Sequence, residues 1–220
     1  MKSEKLANKF LGLGLVIVIA LAVPIVPLIK GYSDQISLAQ KERMGVAVHR
    51  ELRQVLQEIQ RHRGTSTALL SGKDEFRARA DKARAGVDAA IAKTDAAFAS
   101  IEADLPKPAL WGEFKSGWLA LKSDFGALKP QENAKQHTTK INVLMDVMSD
   151  VAEKSGLILD PEAVSYFAMD LTILQVPPST ERMGQARALG ALILSEKSLD
   201  LNRRDAIVSA FAEALMRQKS

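Results

Sequence analysis

Val48-His49-Arg50-Glu51-Leu52-Arg53-Gln54-Val55-Leu56-Gln57-Glu58-Ile59-Gln60-Arg61-His62-Arg63-Gly64-Thr65-Ser66-Thr67-Ala68-Leu69 decides the fold. Val48, Leu52, Val55, Ile59, His62, Ser66 and Leu69 follow one another at alternating steps of four and three. That spacing places them on one face of an α-helix, as in the seam of a helical bundle. The spacing predicts a helix from about Asp34 to Leu70. Ser71-Gly72 then stops it, with Gly72 suited to the left-handed residue after a helix end.

The same period recurs downstream. Phe76, Ala80, Ala83, Val87, Ile91, Thr94, Phe98, Ile101 and Leu105 form a stripe that Pro106 and Pro108 close. Trp111, Phe114, Trp118, Leu121, Phe125 and Leu128 form the next. After Pro130 the pattern resumes through Ile141, Leu144, Met148 and Val151, either as a separate helix or as a kinked continuation. Asp160-Pro161-Glu162 starts another helix, with an Asp cap, a first-turn proline and a first-turn acid. It is expected to run to Val176, break at Pro177-Pro178, and continue through Leu194. A last amphipathic helix follows from Arg203 to Arg217. No strand pattern competes, and 5% aromatics against 47% hydrophobic residues favours helices over a β-sandwich. The expected architecture is all-α, an up-down antiparallel, mostly four-helix bundle.

Upstream, Phe10–Ile29 is an unbroken apolar run without a charge. Twenty residues at ~1.5 Å each match a hydrocarbon core of ~30 Å. Lys2, Lys5 and Lys9 precede it, which predicts a cytoplasmic tail (residues 1–9), a membrane anchor (10–29) and a body outside the cytoplasm (31–220). A cleaved signal peptide with Ala20-Leu21-Ala22 at the cleavage site is the competing reading. Either way the body is exported. The chain carries +4. Residues 1–30 hold +3 of it, so the body is nearly neutral and carries no nucleic-acid footprint.

Catalytic and cofactor patterns are missing. Cysteine is absent, which removes thiolate metal sites and Cys nucleophiles. His49, His62 and His137 are scattered, and Glu58 and His62 lie four apart where a di-iron bundle uses three. No phosphate loop, nucleophile elbow or zinc helix appears. The chain therefore reads as a non-enzyme without cofactor or metal.

One segment violates its own pattern. His62 and Ser66 occupy seam positions, Arg63 stands beside the seam, and Gly64 interrupts a helix at a cost of ~1 kcal/mol. Buried polar groups need partners. Arg63, Gly64, Ser66 and His62 form a candidate cluster for a small anion: a guanidinium fork, room for close approach, and a hydroxyl. The competing reading has Arg63 reaching the rim and Gly64 letting two helices touch.

Leu56–Ser66 resembles the start of the nitrate- and nitrite-sensing domains, which carry a Gln-x-Glu-Arg-Gly-x-Ser type motif on their first long helix. Here His62 stands in place of the Glu before Arg-Gly. Ser155-Gly156-Leu157-Ile158-Leu159-Asp160-Pro161, followed by Ser165-Tyr166-Phe167-Ala168-Met169-Asp170-Leu171, Pro177 and Arg187, resembles the ectodomains of bacterial chemoreceptors, sensor histidine kinases and diguanylate cyclases. In that motif Asp160, Pro161, Tyr166 and Asp170 are structural. The resemblance implies a ligand-sensing input module in the periplasm (31–220) on a bacterial inner membrane, nitrate or nitrite as ligand, and a homodimer. It also implies a return span and an output domain, neither present in this chain, so the sequence reads as the input half of a receptor. The alternative is an anchored bundle that binds a partner protein through Trp111, Trp118 and Met145, Met148, Met169 and Met183.

Overall fold

The computed structural model describes residues 2–158, 163–196, 204–205 and 208–209. Helix α1 (Lys2–Leu70) carries both the apolar run and the seam. After a 3₁₀ turn at Asp74–Phe76 come α2 (Arg77–Ile101) and α3 (Ala109–Asp124). A second 3₁₀ turn (Phe125–Ala127) leads to α4 (Pro130–Lys154). Helix α5 (Ala163–Met169), a π-helical stretch (Asp170–Gln175) and α6 (Val176–Glu196) complete the order. Among the described residues there is no strand, and the fold is all-α.

The second half of α1 packs with α2, α3 and α4 as an up-down-up-down bundle. Its core is Val48, Leu52, Val55, Ile59, Val87, Phe98, Trp111, Phe114, Trp118, Leu121, Ile141, Leu144, Met148 and Val151, all buried. The periodic residues quoted above thus meet one another. The tryptophans belong to this core and not to a partner surface, whereas Met183 is exposed.

Helices α2 and α3 are joined by one device used twice. Trp111 Nε1 donates to Asp95 at 2.7 Å, and Lys115 Nζ sits 2.9 Å from the same carboxylate. Trp118 Nε1 donates to Asp88 at 2.8 Å, with Lys122 Nζ at 2.9 Å. Each residue type repeats after seven positions, and the order reverses between the helices, as antiparallel packing requires. At Asp95 burial pushes the carboxyl up. The bonds from Trp111 and Lys115 outweigh that and hold it below the usual range.

Two boundaries differ from expectation, and a third, which the sequence left open, is decided. No break separates the apolar run from the bundle. Gly31 is the sole breaker there, and one glycine costs too little to end a propagating helix. Helices α3 and α4 are not one kinked rod. Lys129, forced extended by the following proline (ψ 152°), turns the chain into a hairpin. Pro177-Pro178 does not break α6. The wide turn before it takes up the misfit: Val176 N–H bonds Leu171 O, five residues back, which relieves the crowding that a proline ring imposes on a regular turn. The stop at Gly72 is as expected, with φ +84°. Asp160 and Pro161, and most of the expected Arg203–Arg217 helix, lie outside the described residues.

Within α1 an 18-residue window reaches a mean hydropathy of 2.8, and none of it is buried. By length and composition this is a helix able to cross a membrane. From Ile29 to Arg63 the same helix rises about 50 Å without interruption.

Candidate functional site

Near the far end of α1 the bundle core changes from apolar to polar. His62, Arg63, Ser66, Asn133, His137 and Glu181 are all buried. They form two adjoining groups, separated by which face of α1 they leave.

The first group lies inside the bundle. His137 Nδ1 is 2.7 Å from Asn133 O and therefore donates to it. That leaves Nε2 as the acceptor for His62 Nδ1, at 2.7 Å. His62 also meets the Trp118 ring edge-on at 5.2 Å. Burial, then the neighbouring His137, push His62 down to about 3. Burial likewise holds His137 at about 4, against the opposing Asn133 carbonyl. Both rings are neutral near pH 7. Asn133 Nδ2 donates to Ser66 Oγ at 3.0 Å and to Thr67 Oγ1 at 2.9 Å. These groups tie α4 to α1. No cluster of metal-ligating residues occurs among the described residues.

The second group opens to solvent. Gln57, Gln60, Arg61, Arg63, Thr180, Gly184 and Arg187 line a cleft of about 330 Å³ between α1 and α6. That size falls in the range of small-molecule sites. Arg63 holds Glu181 with both Nη groups, Nη2 at 3.1 Å from Oε2. Its Nη1 also donates to Thr138 Oγ1 at 3.0 Å. Gln60 Nε2 and Gln185 Nε2 donate to the same carboxylate at 2.9 and 2.7 Å. Arg61 is paired with Glu58. Gly184 earns its place by contact: a Cβ there would stand 3.2 Å from Arg63 Nη2.

The candidate cluster is therefore divided. Arg63 faces the cleft, buried rather than reaching the rim. His62 and Ser66 point into the bundle. Gly64 is exposed, with open space around it, so it neither faces the cleft nor seats a helix. Tyr166 stacks edge-on against Phe167 at 5.5 Å, and Asp170 accepts from Gln175 at 3.5 Å. Both lie away from the cleft. Arg187, quoted above only as part of a motif, lines the site directly. Asn133 and His137 were legible as polar residues on the α4 seam, the signal that singled out His62 and Ser66. Glu181 carried no such signal, because an acid near a helix start is ordinary.

No curated protein and no solved structure matches the chain. The family model for nitrate and nitrite sensing matches residues 54–219, most of the chain and all of the cleft. The chain belongs to the nitrate- and nitrite-sensing family, the sensor domains of signalling receptors.

Proposed function

We propose that this chain is the extracytoplasmic sensing region of a membrane-anchored receptor, and that nitrate or nitrite binds in the cleft between α1 and α6. One observation carries the assignment of the site. Three guanidinium groups, Arg61, Arg63 and Arg187, line a single cleft between two helices of a domain whose family senses these anions. A guanidinium presents a flat fork of N–H donors, which suits a flat oxyanion with charge spread over its oxygens. The continuous α1 supports the signalling role, since a shift at Arg63 reaches the apolar segment through one rigid element.

Thermal melting of the chain in detergent, with nitrate or nitrite replacing chloride at constant ionic strength, tests the ligand. Stabilisation by either anion, lost in Arg63→Ala and weakened in Arg187→Ala, is the expected result. Equal melting in nitrate, nitrite and chloride removes the reading.

The lysines before the apolar run support a cytoplasmic N-terminus. The chain has no cysteine, so Ser3→Cys and Ser116→Cys report topology cleanly. An impermeant maleimide applied to spheroplasts should label the second and not the first. A homodimer completes the reading, with the second copy covering the exposed apolar face of Val164, Phe167 and Leu171. A monomeric mass by sedimentation in detergent would exclude it.

A further inference from the structure

An anion site gains nothing from a buried carboxylate, whose charge opposes the ligand. Yet Glu181 is 1% exposed at the back of this cleft and takes both Nη groups of Arg63. We propose that Glu181 is a tethered competitor: it occupies the Arg63 fork in the unliganded protein, the incoming anion displaces it, and its departure releases α6 from α1. The proposal rests on the anion-site reading above and adds a residue that sets affinity and couples binding to movement.

The chemistry of the two occupants is the same. A carboxylate presents two oxygens sharing one negative charge, at the spacing that a guanidinium fork grips. Nitrite is likewise a bent O–N–O group with shared charge, and nitrate is its planar three-oxygen relative. One fork in a desolvated site does not hold two such anions side by side, because like charges at that range repel. The carboxylate must leave for the ligand to take its place.

The arrangement of donors fits an exchange. Arg63 and Gln60, which donate to the carboxylate, sit on α1, whereas Glu181 and its other partner Gln185 sit on α6. When α6 withdraws, these two donors stay behind in the cleft, free for the anion. Of the arginines in the cleft, Arg61 is paired with Glu58 and Arg63 with Glu181. Arg187 makes no ion pair among the described residues, and it lies on the helix that moves. It is the group positioned to meet the anion first. The bonds from Gln60 and Arg63 that join α1 to α6 both end on this one carboxylate, so its release is also the release of that contact.

The test uses the full chain in detergent, titrated calorimetrically with sodium nitrate and sodium nitrite against chloride at constant ionic strength. Glu181→Gln keeps the shape and removes the charge. Its affinity for nitrate should rise at least tenfold, while Arg63→Ala abolishes binding. Spin labels at Gln54→Cys and Met183→Cys, both on exposed positions, report the α1–α6 distance. Saturating nitrate should shift that distance, and Glu181→Gln should show the shifted distance without nitrate. Unchanged or weaker affinity in a folded Glu181→Gln overturns the proposal. So does a label distance that saturating nitrate leaves in place. If Arg63→Ala still abolishes binding in those cases, the anion site stands without the competitor. Absence of binding in every background overturns both readings. If Glu181→Gln does not fold, Glu181→Asp, which shortens the reach to Arg63, and the label distance on native Glu181 decide.

Discussion

Arg63 commits both of its Nη groups to neighbours, Glu181 and Thr138, in surroundings that leave its side chain 9% exposed. A buried ion pair is costly to break from one side, since the remaining charge stays desolvated without its partner. Arg63→Ala should therefore destabilise the chain by about 3–5 kcal/mol. Replacing both members, Arg63→Met with Glu181→Leu, should recover most of that loss, because no orphan charge remains. Denaturant melts of the three chains decide between this and a rim arginine, whose removal would cost little. At this scale the sequence marked Arg63, His62 and Ser66 as out of place, since each breaks an apolar pattern. It did not show which way they face. Residues 62 and 66 share a face that turns into the bundle while residue 63 leaves toward α6, and the neighbours that divide them, Asn133, His137 and Glu181, arrive from far along the chain.

Among the elements, α2 and α3 hold each other through the twofold Trp–Asp–Lys arrangement. Asp88→Ala and Asp95→Ala each strand an indole N–H at the edge of the core. With water able to reach the half-exposed carboxylate positions, the cost should be about 1 kcal/mol each. The two sites are two helical turns apart, so the double variant should lose about the sum. Urea unfolding of both single variants and the double checks the magnitude and the additivity. Helix α1 and the α5–α6 segment show where periodicity is a good guide and where punctuation misleads. The bundle helix reads as starting at about Asp34, after the apolar run, and Pro177-Pro178 reads as a break, yet the helix continues through both places. At Gly31 the penalty is smaller than the gain from a continuous helix. At Pro177-Pro178 the π-helical stretch absorbs the missing donor.

For the whole molecule, three buried histidines set a response to acid. Burial, then the charge of Arg53, pushes His49 down to about 4 against the opposing Met148 backbone, while His62 and His137 are held at about 3 and about 4. Between pH 6.5 and about 4 the unfolded chain binds protons on these rings that the folded chain does not. Stability therefore falls as pH drops through this window, by up to about 1.4 kcal/mol per pH unit for each histidine. Melts at pH 7.5, 6 and 5 should show the decline, and His49→Leu should reduce its slope by about a third. A flat profile would mean that the rings take up protons without disturbing the fold. The sequence by itself determined the helical class, the apolar segment, the core stripes and the place of Arg63 as a charge beside an apolar seam, because each is a matter of local period or of a residue that breaks one. Tertiary structure alone decided that His62 and Ser66 turn into the bundle beside Asn133 and His137, and that Arg63 shares a cleft with Arg187 and meets Glu181. The last is a pairing across 118 residues. A charge in a sequence carries no record of its partner until packing brings the two together and excludes the water that would otherwise separate them.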